Sequence, residues 1–174
     1  MKSSNFNIYL DFGKSKIRVG AINKNIVKKN FFYESNYFTN YSNSEIEIEK
    51  IILNLEKDTN EYLESIDLMI DSSETLSISL SLSKNFDGSK LKKEDIQFLI
   101  QDAKQQVLRN YSEQNIIHII VKNYKIDNKD YTFLPTEINC NLLSIDIIFI
   151  CIPKKNIQFF KNLFFKFDIS INQI

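Results

Sequence analysis

Histidine occurs once in this chain and cysteine twice, and tryptophan is absent. The two cysteines, Cys140 and Cys151, lack the x₂ spacing of zinc ligands, and His118 has no second imidazole to join it. That argues against a zinc site. Two reduced thiols in a cytoplasmic protein are the simplest account. Neither sign of charge is in excess. The 22 basic and 22 acidic residues cancel, which argues against a large electrostatic footprint for nucleic acid. Long apolar runs are also missing. The longest, Ile145–Ile152, is strand length and contains Asp146, so no stretch is suited to span a bilayer. The start, Met1 to Asn7, leads into a strand with no apolar signal region. Glycine (3) and proline (2) are scarce, while Ile, Asn and Lys abound along the whole chain. Runs of Asn and Lys therefore carry little functional information. The 174 residues suffice for one domain, or two small intimate ones, with a buried core and no staples.

What is present begins with residues 8–22. Ile8 and Leu10 face one way and Tyr9 the other; after Gly13, Ile17, Val19 and Ala21 alternate with Lys16, Arg18 and Gly20. Period-2 patterning on both sides of a tight turn predicts a β-hairpin. Gly13 at the first central position suits a II′ turn, which needs positive φ there. Such a turn can aim backbone N–H groups at an anion such as phosphate. Asp11, at the end of the first strand, could hold a hydrated Mg²⁺ beside it. Asp-x-Gly between strands is also often only a hairpin, and a short motif needs its context.

The chain then continues in order. Asn23–Asn25 reads as a turn into a third strand, Ile26 to Tyr33, followed by a loop over 34–43. Ser44-Glu-Ile-Glu47 has the form of a capping box, opening a helix to about residue 64 with Ile48, Ile51, Ile52, Leu55, Thr59, Tyr62 and Leu63 on one face. Ser65 to Ile70 is a short strand, which gives a β-β-β-α-β order and an α+β or α/β layer pattern. Leu76 to Leu82 alternates strictly with serine and predicts a half-buried strand. Asn85–Gly88 is a turn. Lys90 to Arg109 is a second helix, burying Leu91, Ile96, Leu99, Ile100, Ala103 and Val107. Asn115 to Ile126 is a strand whose first half is apolar on both faces, which predicts a central place in a sheet. Asp127–Asp130 is a turn and Leu142 to Ile152 another buried strand. Pro153 suits the first position of a third helix, whose apolar face is Ile157, Phe160, Leu163, Phe164 and Phe167. Asp168 to Ile174 alternates as a last strand.

These segments, in this order, carry a resemblance. Leu10-Asp-Phe-Gly-Lys-Ser-Lys-Ile-Arg-Val-Gly-Ala-Ile22 is similar to the first phosphate motif of the actin-like ATPases, specifically the FtsA family of bacterial cell division, whose version runs Asp-x-Gly-Thr-Ser-Lys. Asp95-Ile96, Leu99-Ile100 and Ala103 resemble the opening helix of that family's inserted subdomain 1C. Ile116-Ile117-His118-Ile119-Ile120 and Tyr124-Lys125-Ile126-Asp127 resemble its Leu-His-Val-x-Pro and Tyr-x-Ile-Asp. Leu134-Pro135, Leu142-Leu143 and Lys155-Asn156-Ile157 fall where its later motifs lie. The resemblance implies an α/β (α+β) chain: a partial actin-like, ribonuclease-H-like subdomain 1A over 1–74 plus 153–174, and an SHS2-type subdomain 1C over 75–152.

For function it implies a divisome protein that works by self-association and contacts with other division proteins through 1C. It would be cytoplasmic, at the inner face of the membrane at the division site, and reach the membrane only indirectly. The family's second phosphate loop, FtsZ-binding subdomain and membrane helix lie downstream of the part matched, so ATP hydrolysis by this chain is not expected. ATP and Mg²⁺ contact is implied at Asp11, Gly13, Lys14, Ser15 and Lys16, with Lys14 replacing the family's Thr. A lysine can attract phosphate as a point charge. Thr136 to Cys140 has lost the family's glycines, so partner contacts of that loop do not carry over. A pilus-assembly actin homologue of the PilM type and part of an actin-fold small-molecule kinase are the alternatives.

No catalytic residue emerges from the residues themselves. His118, alone on a central strand, reads as a packed, hydrogen-bonded side chain. Glu45, Glu47 and Glu49 belong to a helix start, and neither cysteine has a His partner. The Phe-rich stretch 157–167 with its lysines reads as core, with a membrane-surface helix as the competing interpretation.

Overall fold

The structure is a computed structural model. It describes residues 4–26, 29–36, 41–135 and 138–174, without the side chains of 41–44. The chain divides into two compact units, Met1–Ser73 with Lys155–Ile174, and Glu74–Lys154.

The first unit is built on β1 (Phe6–Phe12), β2 (Lys16–Asn23), β3 (Phe31–Asn36), β4 (Ser65–Ile70) and β9 (Ser170–Gln173), in the sheet order β3-β2-β1-β4-β9. β1 pairs antiparallel with β2, from Phe6↔Asn23 to Phe12↔Ile17, and parallel with β4. Three antiparallel strands followed by parallel ones is the ribonuclease-H-like arrangement that the resemblance implied. Alternation decides the faces: Phe6, Ile8, Leu10, Phe12, Ile17, Val19 and Ala21 point inward and are buried. On that face lie the helices α1 (Tyr41–Thr59), through Ile48, Ile51, Ile52 and Leu55, and α3 (Lys154–Phe165), through Phe160, Leu163 and Phe164. The Phe12 and Phe160 rings meet edge to face at 4.9 Å. The Phe-rich stripe is therefore core. Among the described residues no helix is long and apolar enough to cross a membrane.

Several boundaries differ from the sequence reading. α1 starts at Tyr41, so Ser44 lies inside its first turn rather than capping it, and that turn holds no acidic residue. The side chain of Ser44 is outside the described residues. α1 ends at Thr59, whose hydroxyl donates to the Leu55 carbonyl at 2.6 Å, and Asn60 follows at φ 57°. Asn tolerates that left-handed conformation, which closes the helix before Tyr62; Tyr62 is exposed and Leu63 is buried outside the helix. The Asn23 side chain accepts the Asn25 and Ile26 amides at 2.9 and 2.8 Å, fixing the expected turn, but the third strand begins only at Phe31 and runs on to Asn36. Pro153 ends a strand, one residue before α3.

The second unit has a four-stranded sheet, β5 (Leu76–Asn85), β8 (Leu142–Pro153), β6 (Gln114–Ile126) and β7 (Lys129–Tyr131), in that order, with α2 (Lys93–Asn110) on one face. Ile96, Leu99, Ala103 and Val107 of α2 pack on Leu143, Ile145, Ile147, Phe149 and Cys151 of β8. Leu91 is fully buried but precedes the helix, and Ile100 is half-buried. The Asp95 carboxylate accepts the Lys92 amide at 3.2 Å and a hydrogen bond from Lys84 at 2.9 Å. The Lys84 contact, against partial burial, holds the Asp95 carboxyl below its ordinary value. Its contribution to stability is thus complete above the unfolded carboxylate range and lost as pH falls through the lowered value.

β6 is not central. It pairs with β8 on one side, while on the other β7 reaches only Tyr124–Ile126. His118 is exposed rather than packed, as are Ile119 and Ile120. Isoleucine on both faces reflects the composition of the chain here, not burial on both faces.

Candidate functional site

The predicted phosphate turn is a real hairpin but of another kind. Gly13 does not have positive φ, and neither do Lys14 and Ser15. The Gly13 amide donates to the Lys16 carbonyl at 3.0 Å, so the chain reverses through Lys14 and Ser15. Glycine is needed at 13 for close approach: a Cβ there would lie 3.2 Å from the Lys16 carbonyl oxygen. Gly20 also marks a close approach, to the ring of Phe32 at 3.2 Å. A backbone carbonyl inside a hairpin yields less readily than an exposed side chain. Gly13→Ala is therefore expected to destabilise by about 1 kcal/mol, and Gly20→Ala to be neutral or slightly stabilising. Urea midpoints of the two variants measure this.

Charges around the turn are paired. Arg18 donates to Asp11 at 3.0 Å and to Glu34 at 2.9 Å, and Lys16 also reaches Glu34. Lys14 lies 3.9 Å from Asp71, with both side chains well exposed. Glu34, and after it Asp11, hold the Arg18 guanidinium more firmly protonated. Lys16 first, then Arg18, hold the Glu34 carboxyl below its ordinary value. Asp11, Arg18 and Glu34 form the polar end of a groove of about 460 Å³ on the outer face of the sheet, whose apolar part includes Tyr9, Phe32 and Met69.

The fit to ATP and Mg²⁺ is consequently poor as the turn stands. The Asp11 carboxylate is engaged by Arg18, and the Gly13 amide is turned into the hairpin. The left-handed glycine that would open an anion nest is not there. Among the described residues no cluster of three His, Cys, Asp or Glu side chains is placed to hold a metal. Both cysteines are buried and free. Burial raises the Cys151 thiol; burial and, after it, the nearby Asp127 and Asp95 charges raise that of Cys140. Neither is a poised nucleophile.

In the second unit the backbone ladders hold the chemistry of a packing module. Ser77, Ser79, Ser81 and Ser83 cover the exposed face of β5, and Ser81 donates to Asp146. The segment after Pro135, whose Thr136 and Glu137 lie outside the described residues, returns beside 86–91. There Leu91 donates to the Ile138 carbonyl at 2.8 Å and Gly88 to that of Cys140 at 3.0 Å.

Residues 72–151 match the family model described as the SHS2 domain inserted in FtsA. These residues are an SHS2 domain of the FtsA type. No curated protein matches the chain. Among solved structures, one of the PilM–PilN type IV pilus biogenesis complex aligns over 97% of this chain and 46% of that chain, with a TM-score of 0.59 and 4% identity. That likeness concerns the fold alone. A Bacteroides thetaiotaomicron protein with an actin-like ATPase fold and unknown function aligns over 98% of this chain and 53% of its own, at 14% identity; its TM-score, 0.36, is too low to establish a shared arrangement. The chain spans about half the length of the solved structures it matches. With the SHS2 domain placed between β4 and α3, the fold is an α/β unit carrying an inserted SHS2 domain.

Sequence reasoning found the residues of the β1–β2 turn but missed Arg18 and Glu34, which occupy them. The signal was available in part: in a hairpin, Arg18 stands directly across from Asp11. Glu34 comes from β3, whose register the sequence did not supply.

Proposed function

We propose that this chain is an FtsA-like cell-division protein that acts by protein–protein contact and assembly, with its SHS2 domain as the contact module. The observation that carries the reading is the FtsA-type SHS2 domain at residues 72–151. We further propose that residues 1–174 do not hydrolyse ATP by themselves. Phosphoryl transfer is largely positioning and electrostatics, and here Arg18 holds the Asp11 carboxylate and the Lys16 carbonyl the Gly13 amide.

A fluorescent fusion of the chain in its native cell tests the main reading. Recruitment to the division ring is the expected result; localisation to pilus machinery would instead favour a PilM-type role, which the PilM–PilN fold likeness supports. For ATP, turnover by the purified chain is expected at the buffer rate and unchanged by Asp11→Ala. A turnover that disappears in Asp11→Ala would overturn the non-enzymatic reading.

A further inference from the structure

The SHS2 sheet has two outer edges, and they are treated differently. Along β6 the ladder with β8 shifts register between Ile116 and His118 and again between Val121 and Asn123. Lys122 sits in the second shift, and β7 covers the end. Bulges, a lysine and a short covering strand are the devices by which proteins keep an edge from pairing. β5 has none of them over Leu76–Ser83. It runs unbroken against β8 from Leu76↔Cys151 to Asn85↔Leu142, with no register shift. It contains no proline, no glycine and no charge before Lys84. It stands last in the order β5-β8-β6-β7, so among the described residues no strand lies along its other side.

The sequence of β5 is also complementary to itself. Residues directly opposite in an antiparallel pair share a face. If two copies pair about Leu80, Leu80 meets Leu80, Ile78 meets Leu82, Ser79 meets Ser81 and Ser77 meets Ser83. Apolar side chains then fall together on the helix side and serines on the other, where cross-strand Ser contacts add to the ladder. Leu80 and Leu82 are half-buried in the single chain, and the second strand would complete their burial. Lys84 falls opposite Leu76, so no like charges face each other.

We propose that two copies of this chain associate through β5, antiparallel and edge to edge, joining their SHS2 sheets into one continuous sheet. The contact is isologous and closes as a two-fold dimer. It deepens the assembly role proposed above, on which its cellular meaning rests.

Sedimentation equilibrium of the full chain tests it, with a concentration-dependent dimer expected. Ser79 and Ser81 are exposed, so the double variant Ser79→Lys/Ser81→Lys leaves the core intact but sets lysine against lysine twice across the pair. The dissociation constant should rise by about tenfold or more. An equimolar mixture with Ser79→Glu/Ser81→Glu should restore dimers, which a misfolded variant would not do. Ile120→Lys, on the β6 edge, should leave the dimer unchanged. A chain that stays monomeric, a dimer indifferent to the β5 lysines, or one broken equally by Ile120→Lys overturns the proposal. A monomeric chain that still reaches the division ring would overturn this contact and leave the proposed function standing.

Discussion

Phe149→Ala is expected to destabilise the SHS2 domain by about 3–5 kcal/mol. Phe149 is fully buried near the middle of β8, which is paired with β5 on one side and β6 on the other along most of its length. It pairs with Ile78 of β5 and Ile119 of β6. Removing the ring loses its transfer energy and leaves a cavity that a doubly paired strand cannot close by moving. The midpoint of urea unfolding, followed by far-UV circular dichroism, measures the loss. A cost below about 1.5 kcal/mol would mean that the core does not depend on this ring.

The second large effect is expected at Asp127, for reasons of backbone rather than packing. Asp127 and Asn128 have φ of 45° and 67° and join β6 to β7 in a two-residue hairpin, with Ile126 facing Lys129. Two successive left-handed residues are the mark of a I′ turn, here made without glycine. The same Asp127 carboxylate accepts the Asn141 amide at 2.9 Å and the Leu142 amide at 2.8 Å, tying the start of β8 to the turn. Asp127→Ala loses both roles and should cost about 2–3 kcal/mol. Asp127→Gly keeps the conformation and loses only the acceptor. Asp127→Asn keeps the conformation and one carbonyl acceptor, and should cost least. The order Ala, Gly, Asn in falling cost, read from the same unfolding curves, separates the two contributions. Equal costs for all three would show that the carboxylate charge alone matters.

Much of the fold was legible because it is written in local periods. Ile8, Leu10, Ile17 and Val19 repeat every second residue, and they are the buried face of β1 and β2. Leu76 to Leu82 alternates with serine, and the serines are exposed. Ile96, Leu99, Ala103 and Val107 follow a helical step and form the buried face of α2. The candidate site was legible in its residues but not in its state. Asp-x-Gly identified the hairpin, whereas the partner of Lys16 and the second partner of Arg18 is Glu34, a residue brought in by β3. The β6 misreading has a similar origin. Ile116 to Ile120 looks doubly buried, yet what buries a strand is its neighbours, and β6 lacks one along most of its length.

By itself the sequence determined most of the strands and helices and which face of most of them is apolar, because these depend on residues a few positions apart. The tertiary structure alone decided that β8 is paired on both sides along most of its length while β6 is so paired only at its end, that Glu34 joins the charges of the candidate phosphate site, and that β5 is left as an unblunted edge. Each of these depends on pairing between distant segments, where hydrogen-bond partners and charge partners are set by register rather than by spacing along the chain.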